Sequence, residues 1–157
     1  MGLSLRPAEN QELAFCESLS RLNMGGYLAA RGVAWNSSRF AASWAEFENL
    51  MILRECQVVG LLRLLPEQGA LGLRDLQIVP EHQGQGIGSW AVRQAQVIAA
   101  DRGYSRLQLR VYEENPAAAL YARLGFRAKS VVDGTVHMAW QLPPNKSFKP
   151  TPLRGAA

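Results

Sequence analysis

Leu3-Ser4-Leu5-Arg6 alternates apolar and polar residues and stops at Pro7, the period of a half-buried strand. From Asn10 to about Ala30 the apolar residues Leu13, Cys16, Leu19 and Leu22 recur at helical spacing, with Ala14 and Phe15 widening the stripe. Gly25-Gly26 is expected to interrupt or end that helix. Asn36-Ser37-Ser38 offers a cap for a second helix running through Phe40, Trp44 and Phe47. Three strand patterns follow: Leu50 to Glu55, Val58 to Leu65, and Leu71 to Val79, which Pro80 closes. Cys56-Gln57 and Pro66-Glu67-Gln68-Gly69 read as hairpin connections, so this part is an antiparallel meander.

The pattern then changes. Ile87, Trp90, Ala91, Ala95 and Ile98 share one helical face, and Gly103 suits the position just past the helix end. Leu107, Leu109 and Val111 alternate with Gln108, Arg110 and Tyr112 as a strand. Strand, helix and strand in that order predict a crossover and a parallel pair. Asn115-Pro116 opens another helix, which stops at Gly125; Phe126 to Val132 and Thr135 to Leu142 form a closing hairpin around Asp133-Gly134. The expected class is α+β with a mixed sheet, antiparallel first and parallel at the middle. The segment 143–157 contains prolines and lysines without a period and reads as a flexible or surface-draped tail after a domain at 1–142.

Composition narrows the class of function. Of 157 residues 48% are hydrophobic and 19% charged, an ordinary single globular domain. The net charge of +4 would suggest nucleic acid, but three of the 17 basic residues (Lys146, Lys149 and Arg154) lie in the tail. The rest carries 14 basic against 13 acidic groups, so no nucleic-acid role is expected. No apolar run approaches the roughly 18 residues of a membrane span, and no secretory leader opens the chain; a cytoplasmic location and no membrane partner are expected. Cys16 and Cys56 read as free buried thiols, and no metal-ligand spacing occurs.

The chemistry is concentrated in Gln83-Gly84-Gln85-Gly86-Ile87-Gly88, at a strand-to-helix turn. Alternating glycines let backbone approach a ligand closely, and the first N–H groups of the helix with its dipole favour an anion such as a pyrophosphate. A Rossmann fingerprint is spaced differently and needs a preceding βαβ unit, which is missing here.

Gln83 to Gly88, with Leu76-Gln77-Ile78-Val79-Pro80 before it and Leu109-Arg110-Val111, Asn115, Leu120-Tyr121 and Leu124-Gly125-Phe126 after it, resembles the GCN5-related N-acetyltransferase (GNAT) family. The resemblance covers about residues 3–142 and is densest from Leu76 to Phe126. It implies a mostly antiparallel mixed sheet of about seven strands, splayed at the centre, with about four helices on both faces. It also implies acetyl-CoA as cosubstrate and no metal. The acceptor would be a primary amine of a small molecule or peptide, acetylated directly in a ternary complex. A non-catalytic CoA-binding module, another acyl group or an oxygen acceptor remain alternatives, and homodimerisation is left open.

By that resemblance the amides of Gly84, Gly86, Ile87 and Gly88, with Gln83 and Gln85 beside them, wrap the pyrophosphate. The edge Leu76, Gln77, Ile78 and Val79 pairs with the pantetheine arm, and the N–H of Ile78 or Leu76 polarises the thioester carbonyl. Tyr121 matches the family's proton donor to the departing thiolate, and for Asn115 a pantetheine contact competes with the helix-cap role read from its position. The family often carries a basic residue where Gln83 stands. Asp75, the acid in the central strand, is the favoured general base; a salt bridge to Arg63 or Arg74 is the competing reading, and Glu46, Glu48 and Glu81 are further candidates. Tyr27, Trp35, Phe40, Trp44 and Phe47 read mainly as core, with Trp35 and Trp44 as candidate walls of the acceptor pocket and Glu46 attracting a cationic amine. The tail resembles ends translated from recombination sites of bacterial gene cassettes.

Overall fold

A computed structural model describes residues 2–143. The tail expected beyond residue 143 lies outside the described residues. The chain runs β1 (Leu3–Pro7), α1 (Leu13–Ala30), α2 (Ser37–Glu46), β2 (Glu48–Arg54), β3 (Gln57–Glu67), β4 (Ala70–Ile78), α3 (Ile87–Asp101), β5 (Arg106–Tyr112), α4 (Ala117–Arg123), β6 (Arg127–Val132) and β7 (Thr135–Gln141). Among the described residues no helix is long and apolar enough to cross a membrane.

The strands form one seven-stranded sheet in the order β1-β2-β3-β4-β5-β7-β6. Every neighbouring pair is antiparallel except β4 and β5 at the centre. The expected mixed sheet is therefore present. One apolar layer joins the sheet to α3 and α4, with Ile52, Leu62, Leu64, Leu71, Leu107, Ile87, Ala91 and Ala95 at its centre. A second, smaller layer packs Cys16, Phe40 and Trp44 from α1 and α2 on Met51, Leu53 and Leu61.

Two expectations need correction. Helix α1 runs through Gly25-Gly26 without a break to Ala30. Each glycine costs about 1 kcal/mol of helix propensity, but tertiary anchors on either side override it. Ser20 and Asn23 bond to β4, and Arg31 just past the end pairs with Glu114. Cys56 is exposed in the β2–β3 turn at a positive φ of 71°, whereas Cys16 is buried as expected.

The meander contains an irregularity that sets the site. Arg63 pairs with Asp75 and Leu64 with Leu73, so Arg74 is an extra residue bulged out of β4. Without it, Leu73 and Asp75 would point the same way. With it, Leu73 joins the layer beneath α3 while Asp75 meets Ser20 on α1, across the sheet.

Candidate active site

Strands β4 and β5 pair only through Leu71 with Leu107 and Gly72 with Gln108. Beyond those positions they part, and a cavity of about 910 Å³ opens between them. Leu76, Gln77 and Ile78 line one wall, Asn115 and Tyr121 another, and Gln83 and Gly88 stand at the loop end; Asp75 also faces this space. The structure thus brings together most of the residues singled out in the sequence, from four separate elements.

The N–H of Val79 bonds to the carbonyl of Val59 on β3. Alternation along a strand then turns the backbone of Ile78 and Leu76 to the opposite edge, toward the opening. Consistent with this, the Ile78 carbonyl is reached by side chains outside β3: Asn23 Nδ2 and Gln83 Nε2 both donate to it at 3.0 Å. Val79 itself faces β3 and does not line the cavity.

At the loop, Gly84 and Gly86 have φ of 74° and 84°, a left-handed conformation that ordinary side chains avoid. A Cβ on Gly84 would project into open space, so the conformation and not crowding calls for glycine. No protein acceptor takes the N–H of Gly84, Gln85 or Gly86 among the described residues. The Trp90 N–H bonds to the Gly86 carbonyl, so the N–H groups of Ile87 and Gly88 lie in the open first turn of α3. This cradle fits a pyrophosphate: several unpaired donors converge where the helix dipole is positive. Ile87 contributes main chain alone, since its side chain is sealed in the core. The amide of Gln85 turns away, accepting from Arg54 and donating to the Glu81 carbonyl at 3.4 Å.

Tyr121 is held by the first turns of α4 and packs its ring on Phe126, with centroids 5.7 Å apart. Burial, and secondarily the charge of Asp75, push its phenol up to about 12. Its hydroxyl makes no hydrogen bond to the described protein and is not sealed off, so it is open to the cavity. Asn115 caps α4, its Oδ1 accepting from the Ala117 N–H at 2.9 Å, while also lining the cavity.

Asp75 accepts from Ser20 Oγ at 3.0 Å and from Gln77 Nε2 at 2.8 Å, and lies 3.6 Å from the guanidinium of Arg63. Arg63 is only 3% exposed, beneath the rings of Phe40 and Phe47, and donates to Asn49 and Ser43. The carboxylate is thus fixed in a polar network and faces the cavity as well. Ser20 and Asn23 were missed in the sequence, whereas the pairing of Asp75 with Arg63 is the competing reading weighed there. Ser20 and Asn23 stand three apart on one helical face, a polar pair interrupting an apolar stripe, and that spacing was the available signal.

Trp35, Trp44 and Glu46 lie elsewhere. Trp44 is buried in the second apolar layer and donates to Asn10, while Trp35 packs against that layer and donates to Glu17. None of the three lines the cavity. Glu48 is paired with Arg102 on the exterior.

The acetyltransferase (GNAT) family model matches residues 16–126. The chain belongs to the GNAT family. Over 63 residues it is 38% identical to thialysine N-epsilon-acetyltransferase of Sus scrofa, covering 40% of this chain and 37% of that protein. Over 57 residues it is 40% identical to streptothricin acetyltransferase of Streptomyces lavendulae, covering 36% of this chain and 30% of that protein. The chain thus matches well under half the length of these relatives. The GNAT fold is shared with the PaiA N-acetyltransferase of Thermoplasma acidophilum in complex with coenzyme A, at a TM-score of 0.72 and 16% identity over 90% of this chain and 100% of that one. It is also shared with the ribosomal-protein-S18-alanine N-acetyltransferase of Escherichia coli, at 0.70 and 20% identity over 93% and 99%.

Proposed function

We propose that this GNAT protein transfers an acetyl group from acetyl-CoA to a primary amine. The observation that carries the reading is the set of unpaired amides at Gly84, Gln85 and Gly86, next to a β4 edge that no described strand pairs with beyond Gly72. In this reading the loop holds the pyrophosphate, and the edge from Leu76 to Ile78 orients the pantetheine arm as an added strand would. The N–H of Ile78 or Leu76 donates to the thioester carbonyl oxygen as negative charge develops there.

The amine nitrogen bonds to the acyl carbon, the carbon–sulfur bond breaks, and its electron pair leaves on sulfur. Tyr121 then supplies a proton to that thiolate from the cavity wall. Its raised pKa keeps the phenol protonated at neutral pH, ready to donate only to a strong base formed beside it. Asp75 first takes a proton from the acceptor's ammonium, directly or through water, so that the free amine attacks; the second proton leaves the nitrogen to solvent after attack, and solvent reprotonates Tyr121. The acceptor is a small molecule or peptide amine; the thialysine and streptothricin enzymes, named for small-molecule acetylation, favour the former.

Calorimetry with acetyl-CoA followed by thiol release over a panel of amines tests the reading. Binding with amine-dependent thiol release is expected. Binding without turnover on any amine would reassign the chain as a CoA-binding module.

A further inference from the structure

A second cavity, of about 560 Å³, lies beside the first. The two share Leu73, Arg74, Leu109 and Arg110 as a common rim, so they adjoin. The floor of the second is the sheet face turned away from α3: Gln108 and Arg110 of β5 alternate with Leu107, Leu109 and Val111, which face the core. Among the described residues no helix residue lines it: α1 and α2 pack over β2, β3 and the far end of β4, at Asp75 and Ile78.

Its charge is one-sided. Arg74, Arg106, Arg110 and Lys129 line it against a single acid, Glu67. That acid is already engaged: Arg74 donates to one oxygen at 3.0 Å and Gln108 to the other. Arg110 and Lys129 have no carboxylate partner among the described residues. Arg110 stands directly across from His137, and His137 from Ser130, next to Lys129. With strands about 4.8 Å apart, the row from β5 across β7 to β6 extends roughly 10 Å from the opening.

We infer that this shelf is the acceptor subsite, and that it selects amines carrying an anionic group, a carboxylate or a phosphate. The inference rests on the acetyl-transfer reading and names the substrate class of that site. The amine points through the rim toward the thioester, and the anion lies on Arg110 and Lys129. Arg suits this role because its planar fork can engage both oxygens of a carboxylate or phosphate. A cationic acceptor would instead meet uncompensated positive charge, and Glu46, the acid expected to attract one, lines neither cavity.

The test uses four acceptors with the same two-carbon spacing: β-alanine, phosphoethanolamine, ethylamine and ethylenediamine. With acetyl-CoA, kcat/KM for the two anionic amines is expected to exceed that for the other two by roughly tenfold or more. The double substitution Arg110→Gln, Lys129→Gln raises KM for the anionic amines and brings the ratio toward parity. Lys129→Glu moves the preference toward ethylenediamine. Both residues are exposed, so folding is preserved, which circular dichroism and the thermal midpoint check. A preference for ethylenediamine in the unaltered protein, or an anionic preference that survives the double substitution, overturns the inference. In parallel, β-alanine and phosphoethanolamine are titrated into the CoA-loaded protein. If they bind and the double substitution weakens them while no amine is acetylated, the subsite stands and the transfer reading falls. If neither binding nor turnover favours an anion, the subsite falls.

Discussion

Arg63 and Asp75 meet at 3.6 Å across the β3–β4 bulge, with side chains 4% and 16% exposed. Burial lowers the pKa of Arg63, and the charge of Asp75 opposes that shift. Asp75→Asn therefore leaves a sealed cation without its counter-charge. We expect a loss of about 1–3 kcal/mol of stability, read as a shift of the urea midpoint. Activity should fall as well, and raising the pH should restore it in part, since a free-base amine no longer needs the carboxylate. No recovery at high pH would leave Asp75 with a structural role alone.

Tyr121→Phe removes the hydroxyl and keeps the ring packed on Phe126. The expected outcome is a fall in kcat of about a hundredfold or more, with affinity for CoA and thermal midpoint little changed. In the unaltered protein burial disfavours the phenolate, so any alkaline loss of activity below about pH 10 comes from another group. A steady-state pH profile of both proteins checks this.

Gly60 faces β4 so closely that an added Cβ would sit 2.6 Å from the Gln77 carbonyl oxygen. Backbone cannot yield as a flexible side chain does. Gly60→Ala should cost about 1–3 kcal/mol and, by displacing the strand edge beside the cavity, weaken CoA binding. Equilibrium unfolding and calorimetry measure the two effects separately.

Acid should weaken the N-terminal junction between β1 and α1. The Arg6 guanidinium, at 2.8 Å, and the Glu9 N–H hold the Glu12 carboxyl down to about 2. Because the folded value lies below the ordinary 4.5, this contribution is present above pH 4.5 and is lost as pH falls toward 2. Glu12→Gln should flatten the decline of the thermal midpoint in that window.

The crossover half was legible in the chain because its signals are local. Glycine spacing at 84, 86 and 88 and the helical stripe from Ile87 to Ile98 announce loop and helix without knowledge of partners. The bulge at Arg74 gives a fainter signal: the consecutive polar residues Arg74-Asp75 between Leu73 and Leu76 break the period of two, but the register with β3 is what locates the extra residue. The helix side of the polar network was hidden because its members are distant in the chain. Ser20 is 55 positions from Asp75, and their meeting depends on how α1 packs on the sheet, whereas the hairpin partner Arg63 was already a candidate. The aromatic cluster misled in the opposite direction, since Trp35 and Trp44 satisfy their indole N–H groups inside or beside the core.

The short ladder between β4 and β5 has a mechanical consequence. Two register positions cannot clamp the halves of the sheet, so their union depends on the apolar floor shared by Leu71, Leu107, Ile87 and Ala91. Trimming that floor at Leu107 would let the plates pivot apart, and the gape of the cleft would change before the protein lost its shape.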